Sequence, residues 1–369
     1  MVLIHEFGHF FAAKRFGVRV DEFGFGFPPR IFGKKIGETL YSLNLFPVGG
    51  FVKIFGESID EADLVEVGFL DKKTTSKKVD FSRSLLHRPK YQQALVMFAG
   101  TFFNFLLAWL LFSFGFMSGL PASIGNQPVK SYLKDVNLVV VSVLPDSPAE
   151  KAGLKAGDKI ISIRSGEEIV LDVNPDTLKS FVVSHLKKEI ELEYLRKETE
   201  GKEEKAVLKV IPTMNATDQR PTIGIAMDQI GIVKLPVFKA FWEGMKFNIS
   251  ATKDTIVGFY TLIKNGIQGK GSWSSITGPV GMVGMVGDLY KFGFSYLLSF
   301  TALISINLAV INLIPFPALD GGRLLFLLIE KIKGSRIKLK IANMVNFIGF
   351  ALLILLMLII TYHDIVKLL

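Results

Sequence analysis

Two short stretches of this chain carry residues able to do chemistry, and both lie in apolar surroundings. His5, Glu6 and His9 sit within residues 1–13 (MVLIHEFGHFFAA), and Asp320 belongs to residues 312–322 (NLIPFPALDGG), about three hundred positions later. On a helix, residues four apart share a face, so the imidazoles of His5 and His9 can meet one cation while Glu6, one step round, looks at the open coordination position. Two imidazoles, one carboxylate and a place left for water make a catalytic zinc arrangement. Asp320 is the natural third ligand, because a carboxylate at membrane depth is costly unless it is paired, protonated or bound to metal. The chemistry expected of such a set is hydrolysis, with Glu6 taking the proton of the attacking water.

Composition says where these residues must work. Of 369 residues 49% are hydrophobic and 32 are Phe, and the mean hydropathy is +0.39, which is the profile of a helical membrane protein with a soluble insert. The net charge of +9 comes from lysines scattered through loops with no aromatic-interleaved basic stripe, so nucleic acid is not an expected partner. With no cysteine, the chain holds any external part together without disulfides, and a metal site must use His and carboxylate groups.

Hydropathy places the elements that carry the chemistry. Residues 93–119 and 341–363 each read as a spanning helix, and 293–322 as a third that ends in the Asp320 motif. Residues 1–16 form the first membrane helix with His5 and His9. Only thirteen residues precede Lys14-Arg15, a rise of roughly 20 Å, so this helix is expected to be incomplete, its upstream part lying before Met1. The short loop 323–340 carries Arg323, Lys331, Lys333, Arg336, Lys338 and Lys340 against Glu330, and positive short loops stay cytoplasmic. Residues 120–292 then fall on the external face, and His5, His9 and Asp320 near the cytoplasmic ends of their helices.

Two soluble or semi-soluble regions complete the plan. In residues 17–92, FGFGFPP (23–29) and TLYSLNLFPVGGFVKI (39–54) alternate β-formers with turn residues. They suggest membrane-associated hairpins near the site, with Gly49, Gly50 and Val52 on a strand that could clamp an unwound substrate. The external insert reads as strand, Pro/Asp/Ser turn, short Ala-rich helix and Gly-Asp turn into a further strand over 136–163. Its pattern SPAEKAGLKAGDKI (147–160) resembles a PDZ domain covering 130–213, a module that adds an extended peptide to a sheet edge. Residues 235–292 open with apolar positions at helical spacing, as an interfacial amphipathic helix or a substrate gate would have.

With these motifs in hand the chain resembles the bacterial site-2 proteases with a single PDZ domain, zinc metalloproteases that cut transmembrane helices in regulated intramembrane proteolysis. The resemblance implies a polytopic α-helical protein of about four transmembrane helices with an inserted mainly-β PDZ domain. It implies one Zn2+ per chain on His5, His9 and Asp320, with Glu6 as the catalytic base. It makes Asn312 a substrate-positioning group, and a GxxxN element, Gly100 and Asn104, matches the second helix. Gly278-Pro279-Val280-Gly281 resembles a further element beside the third helix. Expected partners are the lipid bilayer, transmembrane-helix substrates such as anti-sigma factors or remnant signal peptides, and a peptide on the PDZ domain. The location implied is the cytoplasmic (inner) membrane of a bacterium, with the PDZ domain outside.

Blander readings stand beside these. HExxH occurs by chance on soluble helices, Asn104 could join helices, Gly8 serves close helix packing, and His87 and His185 read as loop or surface residues. The run Lys72–Lys78 reads as a solvated loop. A non-proteolytic PDZ scaffold with structural zinc is the alternative from another class, and it requires a closed four-ligand site. An anchored peptidase acting on soluble peptides is the alternative enzyme.

Overall fold

In the computed structural model residues 1–57, 81–125, 127–197, 203–214, 220–269, 278–292 and 294–368 are described. The Lys72–Lys78 run lies outside them. The chain divides into two compact units, residues 1–110, 251–282 and 301–369 in one and residues 111–250 and 283–300 in the other.

The first unit opens with helix α1, Val2–Arg15, which buries His5, Gly8, His9 and Ala13. These positions recur at three- and four-residue spacing, so one face is turned inward. Lys14 and Arg15 occupy the last turn, where cations complement the helix dipole. Strands β1 (Val20–Ile36) and β2 (Thr39–Ile54) follow. They pair with each other in a folded-back register: Glu22 to Phe25 align with Lys53 to Gly50 and again with Leu40 to Leu43, while Phe32 to Ile36 align with Leu43 to Thr39. Two long strands therefore fold into a sheet of short segments, bent where Pro28-Pro29 and Pro47 withhold ladder donors. Helix α2, Lys90–Ser118, packs its first turns on Ala13, Val18, Val20 and Ile54 through Val96 and Met97.

The second unit holds the predicted β insert. Strands β3 (Leu120–Ser123) and β4 (Leu133–Val143) lead to the one-turn helix α3 (Pro148–Lys151), β5 (Lys159–Ser165) and β6 (Glu168–Val170). Helix α4 (Pro175–Ser184), β7 (Ile190–Lys197), β8 (Glu203–Val210), the two-residue β9 (Thr213–Met214) and β10 (Pro221–Thr222), and β11 (Ile225–Val233) complete it. The main sheet runs β3-β11-β4-β5-β7-β8, with β6 on β5. It is wider than the expected 130–213, because β11 pairs along the whole of β4 and β3 along β11. Alternation in 225–233 is blurred by Gly231 and Asp228, which hid that strand from a period-2 reading.

The turns behave as their residues require. Ser147 caps α3 by accepting from the Glu150 amide, and Asn174 closes a capping box with Thr177 on α4. Asp158, 1% exposed, takes two hydrogen bonds of 2.7 Å from Arg196, and that carboxylate holds the guanidinium above its ordinary pKa. His185 corrects the surface reading. It is buried at the end of α4 and stacked 4.2 Å from Phe181. Helix α5, Val237–Ile267, buries Ala240, Glu243, Gly244 and Asn248 in its first half. Gly244 meets Ser113 so closely that an added Cβ would lie 2.5 Å from its Oγ, and Phe247 packs edge-on to Phe112 and Phe116. That half is thus a packed helix.

Helices α6 (Pro279–Phe292) and α7 (Phe294–Leu313), then α8 (Asp320–Lys333) and α9 (Leu339–Leu368), end the chain. Within the first unit, Asp364 accepts from the backbone amides of Gly278 and Gly281 at 3.2 and 2.8 Å, tying the GPVG turn to the end of α9. Among the described residues three helices are long and apolar enough to cross a membrane: α2, α7 and residues 340–366 of α9. Helix α1, with 14 residues, is too short to be one of them.

Candidate metal centre

Three elements of the first unit bring the predicted ligands to one point. His5 and His9 project from one face of α1, one turn apart. Asp320 is the first residue of α8, and the segment before it explains why. Pro315 and Pro317 lack amide hydrogens and end α7, Ala318 takes a left-handed φ of 71°, and the chain reverses at once into α8. The reversal needs the two glycines after Asp320. A Cβ on Gly321 would lie 2.2 Å from the Ile314 carbonyl oxygen, and one on Gly322 2.3 Å from that of Phe316.

Helix α2 supplies the wall behind the imidazoles. A Cβ on Gly8 would stand 2.5 Å from the Ala99 carbonyl oxygen, so α1 and α2 cross there at backbone contact, as the glycine in the motif suggested. One residue on, a Cβ at Gly100 would fall 2.4 Å from His9 Nε2 and 2.8 Å from His5 Cε1. The Gly100 match to a GxxxN element thus has a steric reason, since any side chain there would enter the space in which the two rings meet.

The ligand atoms are close and nearly equidistant. Asp320 Oδ2 lies 3.0 Å from His5 Nε2 and 3.2 Å from His9 Nε2, and the two nitrogens are 3.1 Å apart. Tetrahedral bonds of about 2.0–2.1 Å place ligand atoms about 3.3 Å from one another, so a zinc ion fits this triangle. The chemistry of the set agrees. His9 Nδ1 is 2.8 Å from the Val96 carbonyl oxygen, and a donated Nδ1–H leaves Nε2 a bare lone pair. Asp320 Oδ2 is buried and receives no hydrogen bond. Three such ligand atoms converging on one point suit a metal cation.

The other named residues fall as follows. Glu6 lies on α1 between the two ligands, at the partly exposed edge of the buried face. Asn312 Nδ2 is 3.4 Å from His5 Nε2, beside the ligand triangle. Asn104 is fully buried. Its Nδ2 is 3.3 Å from His5 Nδ1, its Oδ1 has no partner, and its backbone carbonyl accepts from Ser305 on α7 at 2.9 Å. Gly50 faces α1, where an added Cβ would be 3.5 Å from Leu3, and Gly49 takes a left-handed φ of 84° next to Phe27. Val52 is paired with Phe23 and packs against the cluster of Ala13, Val18 and Val96.

A set of charged ties that the sequence reading did not pick out joins distant parts of the first unit, one of them at the end of α1. Glu38 accepts from Arg83 at 2.6 and 2.8 Å and from Lys14 at 2.6 Å. The Arg83 guanidinium beside it, helped by Lys14, holds the Glu38 carboxyl down to about 2. Arg323 pairs with Glu57, and Lys90 with Glu330. Their charges lie far apart in the sequence, and no local spacing rule pairs them.

The sequence profile of Peptidase family M50 matches residues 1–356. A Clostridium perfringens protein whose name makes it a candidate zinc metalloprotease is 35% identical over 99% of this chain and 95% of its own. The zinc metalloprotease RasP of Geobacillus kaustophilus is 30% identical over the whole chain and 95% of its own length. The regulator of sigma-W protease RasP of Bacillus subtilis is 30% identical over the whole chain and 96% of its own. Among solved structures, the PDZ domain of an SdrC-like protein from Listeria monocytogenes matches 25% of this chain and 86% of that chain at 24% identity, with a TM-score of 0.20.

Proposed function

The chain belongs to peptidase family M50 and is an intramembrane zinc metalloprotease of the site-2 type; from that premise we propose that His5, His9 and Asp320 hold one zinc ion and that Glu6 is the catalytic base. The observation that carries the assignment is the convergence of the three ligand atoms, all within 4.8 Å of one another, from the two ends of the chain. When bound, zinc supplies a Lewis acid and lowers the pKa of a bound water towards neutrality.

The remaining chemistry belongs to the residues. Glu6, next to the ligands and on the more open side of α1, takes the water's proton and delivers it to the leaving amide nitrogen. His9 is held by Val96 so that its Nε2 points at the centre. Asn312, on the last turn of α7, donates its amide to substrate backbone. A peptide bond in a spanning helix is already hydrogen-bonded, so the substrate must be unwound first. The β1–β2 sheet, packed on α1, offers the 49–52 segment as the strand on which an unwound substrate pairs.

The orientation follows from charge. Lys14 and Arg15 close α1, and Arg323 follows Asp320 by three residues at the start of the basic loop 323–340, which supports a cytoplasmic placement of the centre in a bacterial inner membrane. The insert between α2 and α5 is then external. Its Ser-Pro-Ala turn, capped short helix and buried Asp158 support a PDZ role in binding a peptide or screening substrates.

The test is cleavage of a single-span reporter helix, already trimmed outside, by wild type and by Glu6→Gln, with zinc content measured in both. Glu6→Gln should keep one zinc per chain and lose activity by about 10²–10⁴-fold, the range of a general base. Wild-type turnover by zinc-loaded Glu6→Gln would remove Glu6 from the base role. A chelator should abolish wild-type cleavage.

A further inference from the structure

Helix α8 carries Asp320 at its start, yet most of its surface serves no purpose in the site. Leu325, Leu328, Ile329 and Ile332 are 36, 53, 40 and 79% exposed. Their spacing of three, four and seven residues makes one apolar stripe along the helix. The opposite face is engaged with the protein: Arg323 pairs with Glu57, Glu330 pairs with Lys90, and Leu324 packs against the cluster of Ala13, Leu85 and Met97. At about 100° per residue, Lys333 falls on one flank next to Ile329, and Lys331 lies on the other side of the stripe, beyond Leu324. Lys331, Lys333, Lys338 and Lys340 are all exposed.

Fourteen residues rise about 21 Å, and with Arg323, Glu330, Lys331 and Lys333 on it this helix does not cross a bilayer. An apolar stripe bordered by lysines on a short helix is the form that lies in the plane of a membrane surface, its stems in the acyl boundary and its ammonium groups at the headgroups. We propose that α8 lies in the cytoplasmic leaflet and binds anionic phospholipid headgroups through Lys331, Lys333, Lys338 and Lys340. The occupant is a lipid surface, because exposed lysines stand on either side of the stripe, Lys333 beside Ile329 and Lys331 beyond Leu324, and Lys338 and Lys340 continue the charge past the helix end. Since α8 begins at Asp320, the lipid that seats this helix also fixes the position of a metal ligand. The inference rests on the membrane-spanning reading of the chain and needs no proteolytic activity for its test.

The absence of cysteine makes that test direct. Leu328→Cys, labelled with a bimane fluorophore, is reconstituted as the full chain in phosphatidylcholine vesicles containing the same mole fraction of brominated phosphatidylcholine or brominated phosphatidylglycerol. Leu355→Cys, within the apolar span of α9, is the companion. The label at 355 should be quenched alike by both lipids. At 328 the brominated phosphatidylglycerol should quench at least about twice as strongly, a preference that the four Lys→Gln substitutions remove. Quenching at 355 without quenching at 328 overturns the surface placement alone and leaves room for a protein partner on the stripe. Equal quenching at 328 by the two lipids overturns the headgroup preference. No quenching at either position overturns the spanning reading together with the proposal.

Discussion

At the scale of single residues, the centre depends on what is missing as much as on what is present. Gly100→Ala places a methyl 2.4 Å from His9 Nε2, so it should abolish zinc retention in a protein that still inserts; metal content after gel filtration checks this. Asn104 makes a sharper case. Turned over, its amide sets Oδ1 to accept from His5 Nδ1–H, which satisfies a buried oxygen and leaves Nε2 free for metal. Asn104→Leu should then weaken zinc by about 10–100-fold in a chelator competition, and Asn104→Asp should restore most of it. A pure substrate contact would leave zinc affinity unchanged and raise KM. The convergence of His5, His9 and Asp320 was legible because the histidine spacing follows from helix geometry and the setting of all three from hydropathy. Asn104 was singled out only as part of a GxxxN element; its contact with His5, 99 positions away, was not legible, because it forms only where α1 and α2 cross.

At the scale of elements, close crossings and fold-backs decide the geometry. Gly8→Ala drives a Cβ to 2.5 Å from the Ala99 carbonyl and should part α1 from α2, costing about 1–3 kcal/mol as overpacking does; the thermal midpoint and zinc content should fall together. Val52→Pro removes a ladder amide opposite Phe23 and should lower turnover of helical substrates more than zinc content. The Glu38 cluster predicts a pH response. Its carboxyl is lower in the fold than in the open chain, so its contribution is complete above about pH 4.5 and is lost as pH falls towards 2. Partial exposure screens it, so Glu38→Gln should remove at most about 1 kcal/mol of stability at neutral pH and less at pH 3. The spans were legible as apolar runs. The doubled register of β1 with β2 and the joining of β3 and β11 to the insert were not, since pairing between distant strands leaves no local period.

At the scale of the molecule, the role proposed for the insert can be tested apart from the centre. Excising the complete sheet, residues 120–233, should let the enzyme cut precursors that still carry large external domains, if the insert screens substrates. Cleavage of trimmed and untrimmed versions of one substrate gives the answer, and unchanged selectivity would leave peptide docking as its role. The centre itself has a consequence for how the protein is made. Two of the proposed ligands, His5 and His9, precede the third, Asp320, by some three hundred residues, roughly 15–60 s of synthesis at 5–20 residues per second. During that interval a nascent chain has no complete metal site, so it cannot attack the translocation machinery or its neighbours while it is being inserted. On this reading proteolysis waits for the last part of the membrane domain to be inserted.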